Sequence, residues 1–195
     1  MAESHPRQII GRWREGFALD VHTLSSTPVG HDEFGHMQFD TRRSELGDLL
    51  YRLKFKSDAA VVPEIAEAAA TFMRGWKPGV EMIAPVPPSN PRAFQPVIVL
   101  ANALSERLDI PLKDCVKRLR NAPQLKNIYD LDERLRLLDG LHAVNASATD
   151  GRRVLLFDDL YRSGATMNAI TTLLYDQGKA SAVFALTITR TRSHR

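Results

Sequence analysis

Asp158 and Asp159 end a run of four apolar residues, Val154-Leu155-Leu156-Phe157, and a Ser163-Gly164-Ala165-Thr166 turn follows within a few residues. Adjacent carboxylates can accept hydrogen bonds from vicinal hydroxyls or hold a hydrated divalent cation. The apolar run reads as a strand buried on both faces, with the acids at its tip. The turn opens a helix that runs to Gln177, where Gly178 supplies a C-terminal stop. A helix N-terminus presents unpaired N–H groups and a positive dipole end, which favours a dianionic phosphate. Gly164 lets that phosphate approach the backbone, Ser163 and Thr166 add hydroxyl donors, and Arg162 either adds a cation to the phosphate or crowds the loop. Vicinal hydroxyls and a phosphate together describe a ribose 5′-phosphate. The plainer alternative is a strand whose acids only cap the following helix.

Such a site needs elements to hold it. Arg12 to Ser26 mixes aromatic, β-branched and polar residues before a Ser25-Ser26-Thr27-Pro28-Val29-Gly30 break, so the first forty or so residues read as a hairpin-like cover or edge. Leu46, Leu49, Leu50 and Leu53 recur at helical spacing from about Ser44, and Glu64 to Met73 is a second, alanine-rich helix started by Pro63. Val80 to Ala84 reads as a core strand stopped by the rigid Pro85-Val86-Pro87-Pro88 loop, and Pro96 to Leu108 as the next helix. Lys117 to Arg136 is rich in Lys, Arg, Gln and Asn and reads as a mobile basic loop, or else a solvated surface hairpin. Ala182 to Thr189 alternates into a last strand, followed by a short basic stretch with Arg190, Arg192 and Arg195. Strands alternating with helices predict an α/β fold, a parallel sheet flanked by helices that binds ligands beyond the carboxyl ends of its strands. Both the Pro85 loop and the Asp158 segment sit there.

The composition limits the alternatives. The chain has 195 residues, 44% hydrophobic and 25% charged, an ordinary balance that suits one domain. A net charge of +3 agrees with an anionic substrate but is too small to imply nucleic acid. Cys115 is the single cysteine, which excludes an internal disulfide and fits a reducing cytoplasm. No apolar stretch approaches the roughly 18 residues of a membrane span, and no secretory signal pattern opens the chain, so a soluble, cytoplasmic protein is expected. His31 and His36 miss the spacing of a His-Glu-x-x-His metal helix and read as a polar loop.

The string from Val154 to Thr166 resembles the fingerprint of type I phosphoribosyltransferases: an apolar strand, two acids and a threonine- and glycine-rich phosphate loop. Arg162 stands where that family usually has a small hydroxyl residue. From about Leu46 to Thr189 the chain further resembles the ComF-type group. Leu53-Lys54-Phe55-Lys56-Ser57-Asp58 is similar to its lysine-aromatic segment, and Ile83-Ala84-Pro85-Val86-Pro87 to its proline-flanked strand end. Arg118, Pro123-Gln124, Glu133-Arg134 and Gly140 fall in the order of its central region. Arg92-Ala93-Phe94-Gln95 is the nearest match to its Arg-Gly-Phe-Asn signature, and Leu137 replaces an asparagine.

The resemblance implies 5-phosphoribosyl 1-pyrophosphate as donor, a nitrogen acceptor and Mg2+ as cofactor. It assigns Asp158 and Asp159 to the ribose hydroxyls, with or without the metal between. Arg162, Ser163, Gly164, Ala165 and Thr166 go to the 5′-phosphate, and Pro85, Val86, Pro87, Pro88 and Arg92 to pyrophosphate. Lys117, Arg118, Arg120, Gln124, Lys126 and Arg134 are candidates for a lid over the donor. Residues 1–43 would be a hood, 44–190 the core and 191–195 a basic tail of one domain spanning 1–195. Two other readings stay open: a regulatory module that binds the donor or a nucleotide without turnover, and a ComF-like accessory protein linked to DNA uptake. A homo-oligomer is compatible with each; a membrane partner is not expected.

Overall fold

Four strands run parallel and deliver their carboxyl ends to one edge, and helices pack against both of their faces. A computed structural model describes residues 2–89, 94–120 and 140–192. In chain order the elements are β1 (Arg7–Gln8), β2 (Glu15–Val21), β3 (Thr23–His31), β4 (Met37–Arg43), α1 (Glu45–Phe55), α2 (Val62–Trp76), β5 (Met82–Pro85) and α3 (Pro96–Leu108). There follow β6 (Val116–Arg118), β7 (His142–Val144), the short α4 (Ala146–Thr149), β8 (Arg153–Tyr161), α5 (Ala165–Asp176) and β9 (Ala182–Arg190). The central sheet has the order β1-β2-β9-β8-β5, with β2, β9, β8 and β5 mutually parallel and β1 antiparallel at one edge. This is the α/β architecture that the alternation of strands and helices predicts.

Both faces are covered. Leu155 and Phe157 of β8 pack with Leu50 of α1, Ile65 of α2 and Leu100 of α3 in one apolar cluster, whereas Val154 and Leu156 join Met167, Ile170 and Leu174 of α5 in the other. Strand alternation therefore continues Asp158 onto the α5 face and Asp159 onto the α1 face. Fixing the two acids on opposite faces lets different neighbours act on each.

The structure differs from the sequence reading at the N-terminus. Glu15–Val21 is not part of a cover: it is a strand of the central sheet, paired in parallel with β9. Its pattern was hard to read because both faces are packed, with Leu19 in one cluster and Ala18 in the other, and because Asp20 is buried. That carboxylate accepts from Val21 N at 2.7 Å and faces His5 Nδ1 at 3.3 Å. The hairpin proper is β3–β4, a separate two-stranded sheet. A second difference lies in β8, which continues past the acids: Asp158 pairs with Thr187, Leu160 with Thr189 and Tyr161 with Arg190.

α1 is bolted to the end of β2. Ser44 caps it by accepting from Gly47 N at 3.0 Å while donating its own hydroxyl to Val21 O. Gly47 is required by proximity, since a Cβ there would lie 2.2 Å from the carbonyl oxygen of His22. Gly47→Ala is expected to destabilise the protein by about 1–3 kcal/mol through forced displacement of α1. Urea unfolding checks this, and an unchanged midpoint would mean that α1 does not rest on β2.

Candidate functional site

The acid pair is held asymmetrically. Lys54, in the last turn of α1, donates from Nζ to Asp159 Oδ1 at 2.9 Å, and the two side chains are only 22% and 12% exposed. An ion pair this sheltered escapes most of the screening that reduces surface pairs to about 0–1 kcal/mol. Among the described residues Asp158 has no such partner: its Oδ1 accepts the backbone N–H of Asp159 at 2.8 Å. Burial, and then the charge of Asp159, push the Asp158 carboxyl up to about 7, against the opposing pull of that N–H and of Lys54. One acid is thus paired and the other sits near its own titration point at neutral pH.

Beyond the acids the chain turns into α5 through Arg162 and Ser163, both exposed, and Gly164, buried with φ +73°. Gly164 is the N-cap, and among the described residues no side chain caps the helix there, at Ala165 and Thr166, both half-buried. Besides its left-handed φ, Gly164 is demanded by Tyr161, whose hydroxyl would be 2.7 Å from an added Cβ. The turn is braced from below. Asn168 donates from N and Nδ2 to Gly164 O at 2.8 and 3.0 Å, and its Oδ1 accepts from Arg12 N at 2.7 Å. Trp13 packs edge-on against Tyr161 at 6.2 Å.

The remaining predicted residues are placed less uniformly. Pro85 ends β5 and pairs with Phe157 beside the acids. Val86 is buried in the core and its N–H donates to Phe157 O at 2.8 Å, so this position anchors the turn to β8; Pro87 and Pro88 are half-buried. Lys117 and Arg118 lie not in a loop but in β6, paired with β7, with Arg118 opposite His142. Arg118 Nε donates to Arg120 O at 3.1 Å, and burial lowers the pKa of its guanidinium. Arg92, Gln124, Lys126 and Arg134 lie outside the described residues. His31 and Asp32 enter the β3–β4 turn, where Asp32 Oδ1 accepts from the N–H groups of Phe34 and His36 at 2.9 and 2.8 Å. Cys115 is buried, and burial pushes its thiol up to about 11. Among the described residues no group of three or more His, Cys, Asp or Glu side chains converges as a metal cluster.

Sequence reasoning missed His22 and left Lys54 without a role. His22 follows β2 at the same edge, with Nδ1 3.2 Å from Thr189 Oγ1. Burial, then Arg43, Lys54 and Arg162, lower its pKa to about 4, so the ring is neutral at pH 7. Position at a strand's carboxyl end was the available signal, and it was lost because β2 was not read as a central strand.

Asp158 is held with its folded pKa above the unfolded value, so the stability it contributes is fully present below about pH 4 and is lost as pH rises through about 7. Asp158→Asn keeps the acceptor for Asp159 N and removes the charge. The variant is expected to gain stability over the wild type progressively from pH 5 to pH 8, measured as thermal midpoints. A gap independent of pH would contradict this electrostatic account.

The chain matches the phosphoribosyl transferase domain family over residues 98–195. It is 29% identical over 151 residues to the competence protein ComFC of Bacillus subtilis, a match covering 77% of the chain and 62% of that protein. It is 34% identical over 144 residues to competence protein F of Haemophilus influenzae, covering 68% and 63% respectively. The match thus spans less than two thirds of either relative's length. Among solved structures, the adenine phosphoribosyl transferase of Trypanosoma brucei superposes with a TM-score of 0.51 at 12% identity, over 96% of this chain and 75% of that one, a likeness of fold. With an acid pair near the carboxyl end of a parallel strand that leads into the N-terminus of α5, and with this match over half its length, the chain belongs to the phosphoribosyl transferase domain family as a ComF-like protein of type I phosphoribosyltransferase fold.

Proposed function

We propose that the chain binds 5-phosphoribosyl 1-pyrophosphate and transfers its phosphoribosyl group to a nitrogen acceptor with release of pyrophosphate. The observation that carries this reading is the join of β8 to α5, where two adjacent carboxylates, one paired with Lys54, precede a helix N-terminus that no described side chain caps. Asp158 and Asp159 accept from the ribose hydroxyls and fix the ring. The Gly164 turn, with Ser163, Thr166 and Arg162, takes the 5′-phosphate. In the reaction the bond from C1 of the ribose to the pyrophosphate oxygen breaks, its electron pair leaves with pyrophosphate, and the acceptor nitrogen forms the new bond to C1. Orientation and charge stabilisation suffice for such a displacement, so no covalent nucleophile on the enzyme is required.

The donor set fits magnesium, which is usually bound by one or two carboxylates together with substrate phosphates. Asp158 and Asp159 would hold it, and bound there it would neutralise charge developing on pyrophosphate. Pro85 to Pro88 and Arg92 are the pyrophosphate candidates of this reading. Arg118, Arg120, Gln124, Lys126 and Arg134 are its candidates for a cover that excludes water from the activated sugar.

A second reading keeps the donor site without turnover. Two observations favour it: Lys54 already occupies an oxygen of Asp159, and Arg162 stands where the type I family has a small hydroxyl residue. The names of both curated relatives, together with the ComF resemblance, also support an accessory role in DNA uptake.

Calorimetric titration with 5-phosphoribosyl 1-pyrophosphate and magnesium separates these readings. The wild type is expected to bind, and the Asp158→Asn, Asp159→Asn double variant to lose at least about ten-fold in affinity, roughly 1.4 kcal/mol. Equal affinity in both, or no binding by the wild type, contradicts the donor site. Binding without pyrophosphate release across a panel of nitrogen acceptors favours the regulatory reading, and a salt-sensitive complex with DNA favours the accessory one.

A further inference from the structure

The β3–β4 hairpin forms a two-stranded sheet of its own. It is tied to the body at its base, where the Arg43 guanidinium lies 3.8 Å from the ring centroid of Tyr51 in α1 and Arg192 Nη1 donates to Leu24 O at 2.6 Å. Beyond that base nearly every residue is exposed. Alternation along β4 separates two faces, with Met37, Phe39, Thr41 and Arg43 on one and Gln38, Asp40 and Arg42 on the other. Phe39, which pairs with Pro28 of β3, is 55% exposed, and Met37 is 46% exposed. A lone two-stranded hairpin is marginal in water, whereas three or more strands with an apolar face hold by themselves.

The two edges of this small sheet are not equivalent. On β3, Pro28 has no N–H to donate, register shifts fall between Thr23 and Ser25 and between Pro28 and Gly30, and Arg192 takes Leu24 O. Such features blunt an edge against further pairing. β4 has neither proline nor glycine across Met37–Arg43, and among the described residues its backbone makes no hydrogen bond outside the ladder with β3. Its polar face carries both signs of charge. Asp40 and Arg42 are exposed, and among the described residues neither makes an ion pair.

We infer that β4 is a dimerisation edge, which pairs antiparallel with β4 of a second copy of this chain about a two-fold axis at Thr41. In that register Asp40 of each copy lies opposite Arg42 of the other, and Phe39 lies opposite Arg43. The two hairpins become one four-stranded sheet whose polar face closes two charge pairs, and the aliphatic stem of Arg43 covers part of the Phe39 ring across the axis. An axis at Asp40 would set that carboxylate against itself, and an axis at Arg42 would do the same to the guanidinium; like charges directly opposite are destabilising. The contact uses the same patch on both copies, so it closes at two chains. β4 runs directly into Ser44, the N-cap of α1, so the second copy rests on the strand that enters the helix carrying Lys54. The dimer does not depend on the donor reading above.

Analytical ultracentrifugation of the full chain over a range of concentrations tests this. The wild type is expected to move from the mass of one chain towards that of two as concentration rises. Asp40→Arg and Arg42→Asp each place like charges opposite one another at both ends of the ladder, and each is expected to weaken self-association at least ten-fold with an unchanged circular dichroism spectrum. An equimolar mixture of the two variants is expected to regain the dimer, because every pair across the axis then joins opposite charges. A chain that stays monomeric up to millimolar concentration overturns the proposal and leaves the β4 edge to a strand of a different protein. A dimer that both variants leave intact overturns it by moving the interface to another face, and a mixture that stays dissociated overturns the pairing at Thr41.

Discussion

Two carboxylates on consecutive residues of a sheltered strand cannot both be ionised without a nearby counter-charge, and Lys54 supplies it from the other end of the fold's first helix. That single contact joins residues 105 positions apart and ties the last turn of α1 to β8. It also divides the labour between the acids: Asp159 is paired with Lys54, while Asp158 faces the α5 side, where burial and the neighbouring carboxylate raise its pKa. The start of α1 serves the placement of Lys54. Ser44 and Gly47 fix the start of α1 against Val21 and His22, and Leu46, Leu49, Leu50 and Leu53 bury one face of it.

The parallel sheet explains why groups from distant segments share one edge. Because β2, β9, β8 and β5 all point the same way, His22, Arg190, the acid pair and Pro85 emerge together although they span nearly the whole sequence. Antiparallel neighbours would have divided these residues between opposite ends of the molecule. The N-terminal segment adds the brace under the phosphate turn through Arg12, Trp13 and Asn168, so β2 and the chain leading into it are part of the site's support.

Local signals made much of this legible in the sequence. Pro96–Leu108 is a helix over the predicted span, and the Leu46 to Leu53 spacing and Pro63 each marked a real helix because apolar period and capping act within a few residues. The acid pair and the Gly164 turn were legible for the same reason, since their order along the chain is their order in space. What failed was nonlocal. β2 carries a buried aspartate and small residues that only a sheet packed on both faces can accommodate, so its seven residues looked like part of an exposed hairpin. The end of β8 was placed at the acids because hydrophobicity stops there, yet the ladder with β9 continues through Tyr161. Lys54 and His22 acquire their roles only through partners on other strands, which no spacing rule reveals.

The central claim is that a ribose 5-phosphate is held between the acid pair and the start of α5. A crystal structure of the chain with ribose 5-phosphate tests it most directly. The account predicts the phosphate on the backbone N–H groups following Gly164 and the ring hydroxyls on Asp158 and Asp159, with Lys54 still within reach of the acids. A sugar phosphate bound at another edge of the sheet, or one whose phosphate lies on the acid side and whose hydroxyls lie at the turn, would contradict it.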